Sequence, residues 1–439
     1  MKKIKKVYIV HAVDTEGPLY ESTKATFKRA YELFGIKIKD QTSSNLEKLK
    51  KGMGYRGELK NKIQRVFNSH LINYHISWPR IKKMLAKISS SNFRKSIVDD
   101  IKNEYVLTWH CVDHVNYKFN PRKRTIGYGK IFRFYNEYVA KNKTRDKIGF
   151  HYHPMSIYQE AHRNATMWQR SDNLYQVLSR RIIDENWFPV ANRAGFHVER
   201  PDSHLFLEQY IPFDLSNTNK KEKKSKDDAG AASGWDWRRA PNNWEIYNPS
   251  HDDYQSKGKC RRYIGRVLSI NARTESVDQT EVNRAFQRAH NGKNTLLAVT
   301  SHDFRDIEAE ILEFHSYIKK AKKKYPKVKY YFTDTVSGFQ KTLNITNPKK
   351  DQIKLKIYRI SKTKFRIKAI QGKVFGPQPF LAIKFKNNRY LHDNLDFGLK
   401  KNEWFYTLGP ESVRAEDAKI IAVGAADIKG NFHTAQIKL

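Results

Sequence analysis

Two histidines one residue apart, His151 and His153 in GFHYHP, would share one face of a strand, since strand side chains alternate with a period of two, and Pro154 ends the run. Imidazoles so placed, joined by a carboxylate, make an ordinary ligand set for zinc or another divalent ion, with a further position open to water. Asp14 and Glu16 in HAVDTEGP carry the same spacing, and such a pair can divide metal ligation from proton transfer. Arg193 in NRAGFH ends another apolar run, where a guanidinium can pair with a carboxylate. His302 in TSHDF follows the apolar LLAVT, so it should stand at the rim of the core, where a histidine can serve as general acid near neutral pH.

Each pattern taken alone also fits a plainer role. Asp14 and Glu16 suit an acidic turn before Gly17 and Pro18; His151 and His153 suit packing near a strand end; Arg193 suits the surface of an arginine- and lysine-rich chain. Ser301 or Asp303 suits a helix N-cap. A competing cluster, WHCVDHV, offers His110, Asp113 and His114, whose spacing is irregular for a strand face; it reads as pocket lining or support. Trp235, Asp236 and Trp237, with Trp244 nearby, can form a sugar-binding wall, because aromatic faces pack on pyranose rings while polar edges hydrogen-bond. Simple packing is the alternative for each.

The elements that must position these residues are apolar runs rich in β-branched and aromatic residues: KVYIVHAVD, YVLTWHCVD, KIGFHYHP, FPVANRAGFHV, YIGRVLSI, NTLLAVTSHD and KVKYYFTD. Helix-like or loop-like stretches separate them, which argues for α/β architecture with buried parallel strands. In α/β barrels functional side chains gather where strands end, so the expected fold is a distorted (β/α) barrel with a site at its C-terminal rim, spanning residues 1–345. Amphipathic, lysine-rich patterns such as TFKRAYELF and WPRIKKMLAKI place a helical insertion at about 20–100. Residues 216–234, polar and low in complexity, read as a flexible loop or lid. From 350 to 439, alternating runs such as QIKLKIYRI, KFRIKAI, PFLAIKF and AKIIAVGA read as a small antiparallel β-sandwich.

The bulk numbers narrow the partners. In 439 residues, 83 Lys+Arg against 45 Asp+Glu give a formal charge of +38, which attracts nucleic acid, acidic glycans or anionic lipid. The basic residues are spread along the chain rather than gathered on one arm, and no helix-turn-helix, zinc-finger or RNA-binding motif accompanies them, which argues against nucleic acid. The two cysteines, Cys111 and Cys260, lie far apart, so neither a disulfide framework nor a thiolate site is indicated and a reducing compartment fits. The lysine-led N-terminus lacks a signal-peptide cleavage pattern, and no window approaches the roughly 20 apolar residues of a membrane span. A cytoplasmic location is the expectation.

The order Asp-x-Glu, His-x-His-Pro, Arg-x-Gly, Asp-Leu-Ser, Asp-Trp and Ser-His resembles the polysaccharide deacetylase family with the NodB homology domain, most closely its WbmS-like branch. VDTEGP, GFHYHP, NRAGFHVERPDSHLFLEQYIPFDLS, DWRRAPNNWEIYNPS and SHD carry the resemblance, over roughly residues 5 to 340. Common members have adjacent aspartates and histidines four residues apart, whereas Thr15 and Tyr152 intervene here. The resemblance implies a divalent metal, zinc first, held by Glu16, His151 and His153. It implies Asp14 as general base, Arg193 as the partner that keeps Asp14 ionised, and His302 as the acid that protonates a departing amine. It also implies an N-acetylated sugar as substrate, in a bacterial surface polysaccharide or its precursor. Two other readings stand beside it: a deformylase or other amidohydrolase of a carrier-linked sugar, and a catalytically decayed protein that binds nucleic acid or an acidic glycan.

Overall fold

The computed structural model describes residues 4–142, 144–220, 235–272 and 276–439. Eight apolar runs form parallel strands: β1 (Lys6–Thr15), β2 (Leu107–Cys111), β3 (Lys147–Tyr152), β4 (Ala191–Ala194), β5 (Phe213–Asn217), β6 (Tyr263–Ser269), β7 (Thr295–His302) and β8 (Lys329–Thr333). The first seven close into a barrel in sequence order, with β7 pairing back onto β1. The other side of β1 forks: Lys6–Val10 pairs β8, and His11–Thr15 pairs β2.

Strand parity builds two cores at once. Val7, Ile9 and Val13 of β1 and Leu297 and Val299 of β7 point outward into one cluster shared with the surrounding helices. Tyr8, Val10, Ala12, Leu296 and Ala298 belong to another, with Ala191, Phe213, Leu215 and Val267, and it fills the barrel. Continuing the inward parity to the C-terminal strand ends arrives at Asp14, Arg193 and His302. On β3 the outward residues Phe150 and Tyr152 pack on helical side chains, which leaves Gly149 and His151 facing in. Gly149 has no room for a side chain: a Cβ there would lie 2.5 Å from His110 Nδ1.

Helices α1 (Thr23–Phe34), α2 (Ser43–Lys50), α3 (Gly57–Val66), α4 (Ser69–Ile72), α5 (Trp78–Ser89) and α6 (Ser91–Ser96) all fall between β1 and β2. Arg94 of α6 anchors this insertion, its two Nη atoms bonded to the Asp146 carboxylate at 3.0 and 2.8 Å. Asp146 also accepts from Leu107 N and Trp109 Nε1, so one buried ion pair ties α6 to β2. The connections α7 (Lys130–Asn142), α8 (Asn173–Glu185), α9 (Pro201–Tyr210), α10 (Gln279–His290) and α11 (Ile307–Lys324) follow β2, β3, β4, β6 and β7. The last helix, α12 (Thr335–Thr342), sends Phe339 into the barrel core to stack on Phe213. The loop expected at 216–234 begins too early, because Ser216 and Asn217 belong to β5; 221–234 lie outside the described residues.

Beyond residue 350 the chain forms two four-stranded antiparallel sheets. One contains β9 (Lys354–Arg359), β10 (Lys364–Gln371), β13 (Asp396–Phe397) and β14 (Glu403–Thr407); the other, β11 (Phe380–Phe385), β12 (Tyr390–Asp393), β15 (Ala418–Ala426) and β16 (Phe432–Lys438). Phe365, Ile367 and Trp404 of the first sheet share one apolar core with Leu381, Ile421 and Val423 of the second. Phe380, Ala382 and Ala422 join a cluster with Ile182 of α8 and Tyr210 of α9, and Gln176 donates to the Tyr390 carbonyl at 2.7 Å.

Candidate metal centre

Parallel pairing sets the separations at the rim. Asp14 of β1 is in register with His302 of β7, and His151 of β3 with Arg193 of β4. These four line one cavity of about 620 Å³ together with Glu16, one residue past β1. His153, just past β3, completes a group with Glu16 and His151 in which one ligand atom from each lies within 4.8 Å of the others. All three are buried.

The tautomer of His151 follows from its surroundings. Nδ1 lies 2.8 Å from the carbonyl oxygen of Arg193, which can only accept, so Nδ1 carries the proton and Nε2 keeps its lone pair. That Nε2 faces His153 Nε2 at 2.9 Å, with Glu16 Oε1 3.9 Å from His153 Nε2. Ring nitrogens from two imidazoles and a carboxylate oxygen thus converge, with one imidazole oriented through its far nitrogen as metal-ligating histidines are. The donor set fits a divalent cation, and nitrogen and oxygen donors of this kind suit zinc among several metals. Burial lowers the pKa of His153 far below the ordinary histidine value, which keeps its nitrogen free for a metal.

Space for His153 comes from the glycine of Arg-x-Gly. A Cβ on Gly195 would lie 2.3 Å from His153 Cδ2, so any larger residue displaces the ring.

Asp14 is 2% exposed and sits against Arg193, 1% exposed. Nε donates to Oδ1 at 3.1 Å and Nη2 to Oδ2 at 2.6 Å. Nη1 is used as well, donating to the Leu215 carbonyl at 2.8 Å and to His197 Nδ1 at 3.0 Å. Burial favours the neutral acid, but Arg193 and His151 outweigh it and hold Asp14 well below the usual carboxylate range. Across the cavity His302 Nε2 is 4.0 Å from Asp14 Oδ2 and 3.8 Å from Glu16 Oε1. Burial, reinforced by Arg305, pushes His302 down to about 4, so its imidazole is neutral at pH 7.

Several residues at the site carry no sequence signal of their own. Arg124, from the loop between β2 and α7, hydrogen-bonds Glu16 through Nη2; burial opposes ionisation of Glu16, yet its pKa lies below the ordinary carboxylate range, chiefly through Arg124. His197 accepts from Arg193 out of a left-handed backbone, φ 56°. Asp303 caps no helix: its carboxylate accepts from the backbone N–H of Glu16 and Gly17, both at 2.9 Å, and from the Tyr135 hydroxyl at 2.8 Å. Its pKa is raised to about 6 by burial, and the N-cap of α11 is Asp306. Ser301 points outward and bonds His11 Nε2 at 2.7 Å. Tyr135 is buried on α7, and only the fold brings its hydroxyl to Asp303.

Other expected site residues lie elsewhere. His110 faces inward but beneath the centre, where its ring nitrogens meet the Phe150 carbonyl at 3.1 Å and Thr335 Oγ1 at 3.3 Å. Asp113 is held by Arg181 Nη2 at 2.9 Å and Gly129 N–H at 3.0 Å, which leaves it a structural anchor. His114 is buried beside the His153 ring, centroids 5.8 Å apart. Trp237 is fully buried with Nε1 on the His197 carbonyl at 2.7 Å, and Trp244 donates to the Glu281 carbonyl. Asp236 pairs with Arg238 at 2.8 Å on the surface. Of the proposed sugar wall only Trp235 lines the cavity. The other two indoles are held in the core, each giving its N–H to a backbone carbonyl.

Among the described residues no helix is long and apolar enough to cross a membrane. No family model, curated protein or solved structure matches the chain.

Proposed function

We propose that the protein is a metal-dependent hydrolase that removes an N-acetyl group from a sugar, in the manner of NodB-type polysaccharide deacetylases. The observation that carries this reading is the convergence, on one barrel rim, of Glu16, His151 and His153 with an Asp14 held ionised by Arg193. Asp14 and Glu16 lie two residues apart yet have separate partners, Arg193 for one and Arg124 for the other. That division supports different roles for the two acids.

A divalent ion held by Glu16, His151 and His153 would polarise the acetamido carbonyl and acidify water there. Asp14, ionised and fixed by both oxygens, takes the proton of the attacking water. Arg193 keeps it in place, with four of its five N–H donors engaged by Asp14, Leu215 and His197. His302 begins neutral, so the proton it passes to the departing amine is one released within the cycle; a single water can span the 4.0 Å between it and Asp14. The products are acetate and a free amino sugar. An assay of amine release from N-acetylated sugars, with N-formylated analogues in parallel to separate a deformylase, tests the reading. A metal-loaded protein that releases no amine from either class contradicts it.

A further inference from the structure

The cavity holds one guanidinium that the proposed chemistry leaves without a counterion. Arg305, three residues past β7, lines the cavity and is 7% exposed. Its Nε is buried with no hydrogen-bond partner, and no ion pair joins its side chain to any described residue. Other arginines of the cavity are committed: Arg29 and Arg122 share Glu21 at 2.8 and 3.1 Å, Arg163 pairs with Glu160, and Arg193 pairs with Asp14.

A second guanidinium stands beside it. Arg124 gives Nη2 to Glu16, but its Nε and Nη1 are buried without partners, and its side chain is 8% exposed. Both cations lie on one ring, Phe304, with Cζ of Arg124 and of Arg305 4.9 and 5.5 Å from its centroid. That ring is itself 4.8 Å from His302. Buried cations with unmet donors are costly unless an anion completes them, and a planar fork suits carboxylate or phosphate.

We infer that Arg305 and Arg124, flanking Phe304, form an anion subsite next to His302, so that the sugar acted on carries a carboxylate or phosphate close to its acylated nitrogen. This rests on the deacetylase reading for the identity of the sugar but not for the anion.

The test is calorimetric titration of the metal-loaded full chain with glucuronate, glucose 1-phosphate and glucose. Charge-assisted hydrogen bonds of this kind make the anions bind about ten- to a hundred-fold more tightly than glucose. Tighter glucuronate binding identifies a sugar acid, and tighter glucose 1-phosphate binding a phosphorylated or carrier-linked sugar. Arg305→Gln abolishes the preference, while Arg163→Gln, whose arginine is already paired, retains it. Arg305→Met, which keeps an apolar stem against Phe304, gives the same loss if the glutamine variant does not fold. Equal binding of the three probes, or an anion preference that survives in both Arg305 variants, overturns the inference. Binding is read without turnover. Arg305-dependent anion binding in a protein that releases no amine therefore keeps this inference and removes the deacetylase reading, whereas amine release from neutral N-acetylglucosamine with no anion preference does the reverse.

Discussion

Arg193 grips both oxygens of Asp14, at 3.1 and 2.6 Å, across 179 residues of sequence. The contact has this form because β4 delivers Arg193 beside His151 while β1 delivers Asp14 beside His302, and both face into the barrel. A carboxylate buried so deeply stays charged chiefly because the guanidinium is there.

Replacing Arg193 with Gln should therefore move the acid limb of the pH–rate profile. Asp14 has a depressed pKa when folded, so its ionised form persists to low pH in the wild type. Without Arg193, burial raises the pKa, the base is lost at higher pH, and the acid limb shifts upward. Stability tied to the pair is full above the ordinary aspartate pKa and lost as pH falls toward the depressed value. Profiles of amine release for wild type and Arg193→Gln read the shift; superimposable acid limbs would show that Arg193 does not control Asp14.

Metal content should separate ligands from neighbours. His151→Ala and Glu16→Gln each remove a donor from the converging set and should purify with metal reduced at least about ten-fold, since even oriented supporting partners carry ten- to hundred-fold effects. His302→Ala, outside that set, should retain it. Chelation should lower the Tm of the wild type, because an ion that binds only the folded chain stabilises it. Elemental analysis with thermal melts checks both.

Much of this geometry was legible in the chain because period two governs strand side chains. Seven of the eight parallel strands, all but β5, and the inward set of Asp14, His151, Arg193 and His302 follow from apolar runs that end in polar residues. What could not be read was contact across loops. Arg124 sits in PRKRT, one basic residue among several, and reaches Glu16 only through the path of the β2–α7 loop. Trp235, Asp236 and Trp237 occupy consecutive positions with three different fates, because the tertiary surroundings decide which indole is buried. Tyr390–Asp393 and Glu403–Thr407 are strands within polar, turn-rich sequence, where alternation is too short to stand out.

The Arg94–Asp146 pair should be among the costly contacts to break. Both side chains are at most 3% exposed, and Asp146→Ala strands a buried guanidinium while orphaning Leu107 N–H and Trp109 Nε1. A loss of about 3–5 kcal/mol is expected, measured by denaturant unfolding. A change below about 1 kcal/mol would mean that α6 is not anchored through this pair.

His392 should make stability fall in mild acid. It is stacked on Phe380, centroids 3.9 Å apart, and on Tyr175 at 4.8 Å, and burial lowers its pKa to about 4. The unfolded chain, with the ordinary value near 6.5, takes up the proton first, so stability is full above about pH 6.5 and declines as pH falls toward 4. In His392→Phe the decline should be shallower. Melting curves between these limits that run parallel for the two proteins would exclude this histidine as a source.

The central claim is that Asp14 is the base of a metal-dependent deacetylation, and amine release by metal-loaded wild type and Asp14→Asn, at equal metal content, tests it most directly. The account predicts a fall of about 10²–10⁴-fold in rate with the metal retained, since Asp14 is not among the three converging ligands. Equal rates in the two proteins, or a wild type that releases no amine with its metal in place, would contradict it.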